Sequence, residues 1–321
     1  MADLETARQI WLEERPKFEA FAAAVARILS KGIRHEGIFA EVQHRAKDMD
    51  SLIKKLIKKP HHSYKSLPDK AGIRVIVRHI HEIDSILAIA AELLDRDTPE
   101  NKATLLKPDT FGYLSVHAQI RIRAGHELSA TYPSDQFQVE MQVRTLAQHL
   151  WAEMAHNTVY KSESMIEPLD SRIQRRLYML AGMVELADYE FDRIEKEMPT
   201  VPEFQLLKSL ERSYYKLTVR RSDPELSLDV IHLLLPLYNE KPEVVAAHLE
   251  EFFTQNEELL HQIYERAEEV PDHSVFLFQP EALMIFDLLK KERLSVRESW
   301  VAKYPVRELE RIALALGMTF E

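Results

Sequence analysis

The sequence predicts an α+β chain, with strands and helices interleaved in residues 1–200 and helices alone in residues 201–321. Three observations carry this. Runs at 72–78, 113–123 and 137–144 alternate apolar and polar residues with period two, as half-buried strands do. Around them, stretches such as 38–59 and 82–95 space their apolar residues for helices. Beyond a proline-marked break at PTVPEF, near residue 199, only helical patterns recur: SLDVIHLLLPLY, EVVAAHLEEFFTQNEELLHQIYERAEE, EALMIFDLLKKE and VRELERIALALG.

Taken in order, the segment around RQIWLEERPKFEAFAAAVARIL reads as helical. Residues 38–59, IFAEVQHRAKDMDSLIKKLIKK, read as one amphipathic helix whose apolar stripe is Val42, Ala46, Met49, Ile53, Leu56 and Ile57. Lys47, Ser51, Lys55 and Lys58 lie opposite, with Arg45 at the edge of the stripe. Three lysines around a hydroxyl suit phosphate, although an ordinary solvated lysine face has the same pattern. GIRVIVR at 72–78 sets Ile73, Val75 and Val77 against Arg74, with Asp69 at the strand entrance. A helix over about 82–95 and a polar loop follow.

In YLSVHAQIRIR, Tyr113, Ser115, His117, Gln119 and Arg121 share one face; in 137–144, Gln138, Glu140, Gln142 and Arg144 do. A solvent-facing sheet accounts for any one alternation. Asp69, Arg74, Tyr113, His117 and Glu140 together point instead to a site. Two carboxylates suit a hard cation bound through oxygen, and arginines clamp phosphate. Phosphate chemistry on a divalent metal is the expectation. A long helix over 168–197 is expected to pack on the sheet.

Composition narrows the classes. The 321 residues contain no cysteine, which excludes disulfides, cysteine nucleophiles and thiolate metal sites. The amino-terminal residues lack the apolar core of a signal peptide and no run reaches membrane-spanning length, so a soluble cytoplasmic enzyme is expected. None of the seven glycines is spaced as GxGxxG or GxxxxGK, which removes the Rossmann fingerprint and the P-loop. Side chains must then grip any nucleotide phosphates. Residues 201–321 hold 14 Lys and Arg against 22 Asp and Glu, a poor balance for binding RNA. SVRESWVAKYPVRELERIALALGMTF lacks a basic recognition helix and reads as two packed helices, not as a DNA reader. His149, Glu153, His156 and Tyr160 align on a helix over 146–161, but HExxH is absent and zinc is not expected there; His61 and His62 likewise lack an HD partner.

Arg45, Lys47, Ser51 and Lys55 in the pattern RxKxxxSxxxK, then DKAGIRVI, GYLSVH, VEMQVRT and AEMAHNTVYK, stand in that order over about residues 40–165. The series resembles the synthetase domain of RelA/SpoT proteins, the alarmone synthetases. The resemblance implies a nucleotidyltransferase-like fold of the polymerase β type, a mixed sheet flanked by helices. It implies ATP on Arg45, Lys47, Ser51, Lys55 and Lys58, with Arg74 opposite Arg45 about the adenine, and Mg²⁺ on Asp69 and Glu140. Tyr113 would stack on the acceptor guanine, His117, Gln142 and Arg144 would line the space between acceptor and donor, and Lys161 is a phosphate contact.

The implied reaction moves the β,γ-pyrophosphoryl group of ATP to the 3′-hydroxyl of GDP or GTP, giving ppGpp or pppGpp and AMP, with Asp69, Glu140 and Arg74 as its catalytic residues. The segment before the lysine helix is too short for the hydrolase domain of bifunctional relatives, so synthesis without degradation is expected. KPDTFGY departs from the family, with Asp109 near the usual place of a lysine. Two other readings stay open: a toxic family member that modifies the 3′ end of tRNA, and a non-catalytic nucleotide sensor. Under each, residues 201–321 would regulate, build a homo-oligomer or bind a trigger.

Overall fold

The computed structural model describes residues 2–58, 63–105, 114–155, 170–197, 201–220, 222–270 and 272–319. The chain forms two units, one of residues 1–33 with 39–194 and one of residues 34–38 with 195–321. In the first, the elements run α1 (Ala2–His35), β1 (Glu41–Ala46), α2 (Met49–Lys58), β2 (Ala71–Val77), α3 (Ile80–Leu93), β3 (Asp95–Arg96), β4 (Glu100–Asn101), β5 (Val116–Arg121), β6 (Val139–Thr145), α4 (Leu146–Ala155) and α5 (Ser171–Glu197). The sheet order is β1-β2-β6-β5-β3, with β4 also on β5. Only β2 and β6 pair in parallel; the other pairs are antiparallel, so the sheet is mixed and flanked by helices as expected.

The alternation read from the sequence sets the two faces. Ile73, Val75, Val77, Val139, Met141, Val143, Val116, Ala118 and Ile120 are buried, and α3 contributes Ile83, Ile86, Ile89 and Ala90 to the same core, running against β2, β3 and β6. On α1, Trp11, Phe18, Phe21, Val25, Leu29 and Ile33 recur at helical spacing and are buried. A Cβ on Gly32 would meet Leu93 Cδ1 at 2.4 Å, so this glycine permits the close approach of α1 to α3. The carboxyl-terminal half of α5 is held by polar contacts. Asp188 accepts the Thr145 hydroxyl at 2.6 Å, and Asp192 contacts His81 Nδ1 at 2.6 Å.

The segment 38–59 is not one helix. Residues 41–46 are the edge strand β1, antiparallel to β2, and the helix begins only at Met49. Asp48 makes the break: its carboxylate accepts the Ser51 amide at 2.8 Å as a helix cap does. That amide hydrogen bond, more than the charge of Lys47, holds the Asp48 carboxyl below its ordinary range. Of the proposed stripe, Ile53 and Leu56 are buried with Leu52, whereas Ile57 is exposed.

The second unit is helical, with α6 (Pro202–Thr218), α7 (Pro224–Leu234), α8 (Pro242–Glu268), α9 (Ala282–Lys291), α10 (Arg293–Val301) and α11 (Val306–Ala315). Proline stands at the first turn of α6, α7 and α8, where its missing N–H leaves no intrahelical bond unmade. From Ala282 to Leu289, α9 is buried on every side. Its Asp287 is answered by His248 and Lys291, each at 3.0 Å. Glu281, just before α9, is 0% exposed and neither of its carboxyl oxygens has a hydrogen-bond partner among the described residues.

Candidate active site

Strand register gathers the polar residues into rows across the sheet. Gln43, Arg74, Gln142 and His117 stand directly opposite one another across β1, β2, β6 and β5. Arg45, Gly72, Glu140 and Gln119 form the adjoining row. Because side chains alternate along each strand, both rows sit on the face opposite the apolar core. The cleft over that face is bordered by Arg45, Lys47, Asp69, Arg74, Glu140 and Gln142, and also by Gln43 and His44.

Asp69 is the most constrained of these. Its Oδ2 accepts hydrogen bonds from Lys47 Nζ and Lys55 Nζ, both at 2.6 Å, while Oδ1 is buried without a partner among the described residues. Burial alone would raise this carboxyl; the hydrogen bonds and charges of the two lysines outweigh it and hold the group below the ordinary carboxylate range. Lys47 is fixed in turn through its backbone. Its amide donates to the Lys70 carbonyl at 2.9 Å and its carbonyl accepts from Trp11 Nε1 at 3.2 Å.

Glu140 follows the same logic with weaker partners. Gln142 Nε2 donates to Oε2 at 3.0 Å, and His117 Nδ1 lies 3.4 Å from Oε1. Burial pushes this carboxyl up and the nearby Asp69 charge adds to that, yet His117 and Gln142 bring it below the ordinary range. Both carboxylates are therefore ionised at neutral pH.

These residues fit a hard divalent cation. Such an ion takes oxygen ligands, and the buried, unpartnered Asp69 Oδ1 is an oxygen donor aimed at no protein hydrogen. Among the described residues no cluster of three or more His, Asp or Glu forms a closed metal cage. Two carboxylates would leave most ligand positions of such an ion to other oxygens.

Other predicted residues fall elsewhere. Ser51 and Lys58 are exposed on α2 and do not border the cleft. Arg144 shares strand parity with Glu140 and Gln142; it is 2% exposed and does not border the cleft. It stands near the carboxyl-terminal end of β6, just before α4 begins. Tyr113 and Lys161 lie outside the described residues, as do His61, His62, His156 and Tyr160.

Three residues at or beside the cleft were not singled out for it in the sequence. Gln43 and His44 were hidden by the helical reading of β1. Glu153, considered only for zinc, instead accepts from Arg74 Nη1 at 3.0 Å, and Gln43 Oε1 lies 3.3 Å from the same nitrogen. Arg74 Nε remains buried without a partner among the described residues. On the same helix His149 is held below the ordinary imidazole range, first by burial and then by the charges of Arg144 and Arg74.

A family model described as "Region found in RelA / SpoT proteins" matches residues 44–165. Over 168 residues the chain is 26% identical to GTP pyrophosphokinase YjbM of Bacillus subtilis, covering 48% of this chain and 78% of that protein. It is also 26% identical over 122 residues to GTP pyrophosphokinase YwaC of Bacillus subtilis, covering 36% of this chain and 56% of that one. A solved GTP pyrophosphokinase family protein from Streptococcus pneumoniae superposes with a TM-score of 0.48 at 21% identity, over 59% of this chain and 93% of the other.

Proposed function

Residues 44–165 are a RelA/SpoT-family synthetase domain, and on that premise we propose that the chain is a pyrophosphokinase that moves the β,γ-pyrophosphoryl group of ATP to the 3′-hydroxyl of GDP or GTP. One observation supports this above the rest. Two ionised carboxylates, Asp69 and Glu140, share a cleft with Arg45, Arg74 and Lys47, and a buried oxygen of Asp69 has no partner among the described residues.

In this reading Arg45 and Arg74 hold the adenine end of ATP, and Lys47 and Lys55 neutralise its phosphates beside Asp69. Ser51, Lys58 and Lys161 extend that cationic track, and Tyr113 stacks on the acceptor base. The acceptor 3′-oxygen attacks the β-phosphorus as the bond to the α,β-bridging oxygen breaks, and AMP departs with that oxygen. Glu140, unprotonated at neutral pH and steadied by His117 and Gln142, receives the hydroxyl proton. Mg²⁺ held by Asp69 and Glu140 would supply charge neutralisation for the phosphates. Transfers of this kind depend on positioning and electrostatics more than on covalent help, and the cleft is rich in both.

Retention of both carboxylates speaks against a pure sensor, and the acidic residues 201–321 speak against a tRNA substrate. The deciding experiment incubates the full chain with Mg²⁺, ATP labelled in its γ-phosphate, and GDP, GTP or bulk tRNA, then separates the products. Label on a guanosine tetra- or pentaphosphate is expected. Label on tRNA, or label that stays on ATP with every acceptor, overturns the reading.

A further inference from the structure

We propose that the first unit holds a second anion site, separate from the cleft, in which Lys70 binds one phosphate-sized oxyanion. Lys70 follows Asp69 directly, but its side chain enters a different cavity of about 90 Å³. Phe18, Lys65, Ser134, Gln136 and Gln138 border that cavity with Lys70, and none of them borders the cleft.

Lys70 is only 8% exposed. Its ammonium lies 4.2 Å from the centroid of Tyr64 and 5.1 Å from that of Phe18, and rings of this kind attract a cation. Among the described residues no hydrogen-bond acceptor or ion pair meets it. Glu14, the acid that acts on it, is engaged by the Tyr64 hydroxyl at 2.5 Å. A buried charge is ordinarily both paired and hydrogen-bonded. Lys70 has instead two ring faces and a cavity.

The cavity wall completes an anion's requirements. Lys65 adds a second positive charge, and Ser134, Gln136 and Gln138 bring a hydroxyl and amides that can donate. Gln138 Oε1 already accepts from Arg121, which leaves its amide hydrogens for the cavity. Asp135 also borders the space, so among the residues lining the cavity two lysines face one acid, with Glu14 acting from outside it. The small volume favours a single phosphate group over a polyphosphate or a base. The site adjoins the catalytic segment through the backbone, because the Lys70 carbonyl takes the Lys47 amide. An anion on Lys70 therefore braces the residues that flank Asp69.

The test titrates inorganic phosphate into the full chain at constant ionic strength, in a Lys55→Met background that weakens phosphate binding in the cleft. Saturable binding is expected, weakened at least tenfold by Lys70→Met and also by Gln136→Glu. Gln136 is exposed, so that variant keeps the fold if Lys70→Met does not. A parallel titration with AMP distinguishes a nucleotide's phosphate from free phosphate as the source, whichever binds more tightly. Phosphate binding that is undetectable, or indifferent to both substitutions, overturns the proposal.

Discussion

Replacing Glu281 by glutamine should stabilise the helical unit at alkaline pH and leave it unchanged in acid. Glu281 is fully buried and, among the described residues, its carboxyl oxygens make no hydrogen bond of normal geometry; Ser227 and the residue's own backbone lie near enough only to oppose burial in part, and the Ser227 hydroxyl is 3.4 Å from Gln279 Oε1. Burial, aided by the charge of Asp223 and only partly opposed by Ser227 and the residue's own backbone, pushes the carboxyl from 4.5 up to about 7. Below pH 4.5 the folded and unfolded chains both carry the proton. As pH rises from 4.5 to about 7 only the folded state keeps it, so stability falls; above about 7 both states are ionised and the loss is complete.

At 1.36 kcal/mol per pKa unit this amounts to about 3 kcal/mol, or roughly a hundredfold in the opening equilibrium. Hydrogen exchange of α8 and α9, compared between wild type and Glu281→Gln at matched pH, reads it directly. Protection of the variant should exceed wild type by about two orders of magnitude at pH 8 and match it at pH 4. Equal protection at pH 8, or a gain that is the same at both pH values, would refute the argument that an unpaired buried charge burdens this core.

Three further outcomes concern the cleft. Asp69→Asn and Glu140→Gln should each lower kcat by about a hundredfold or more with circular dichroism unchanged, and normal turnover in either removes the metal-site assignment. Glu153→Gln releases Arg74 from a half-exposed ion pair, so the KM for ATP should fall by about two- to fivefold; an unchanged KM would mean that Arg74 does not meet ATP. Tyr113→Ala should raise the acceptor KM at least about tenfold, the loss of one base stack, while sparing the KM for ATP. Equal effects on both substrates would make the tyrosine structural.

The central strands were legible because their inward residues, most of them β-branched, recur at every second position, with Ile76 alone breaking the alternation in β2. β1 was not. In EVQHRA the apolar residues are Val42 and Ala46, four apart, and four is both one helical turn and two strand repeats. The pairing with β2, a contact remote from the local sequence, decides between them. Direction was legible where depth was not: the period placed Arg144 on the polar face, but it carries no information about what covers a side chain. The same limit hid Lys70, whose neighbours Phe18 and Gln138 come from distant segments. Glu153 was visible as a charge on a helix, and only the tertiary fold gave it Arg74 as a partner.

The parallel pairing of β2 with β6 also separates the two carboxylates by a long stretch of chain. Lys47, Lys55 and Asp69 come from the contiguous β1–α2–β2 segment and can meet as soon as that segment folds. Glu140 arrives only when β6 is inserted between β2 and β5, after every element from α3 to β5 has been made. Until then two central strands expose unpaired edges, and closing so long a loop is slow. The last strand to enter the sheet brings the second carboxylate, so a nascent or partly unfolded chain cannot present a competent cleft. The step that removes the aggregation hazard is the same step that completes the pair of carboxylates.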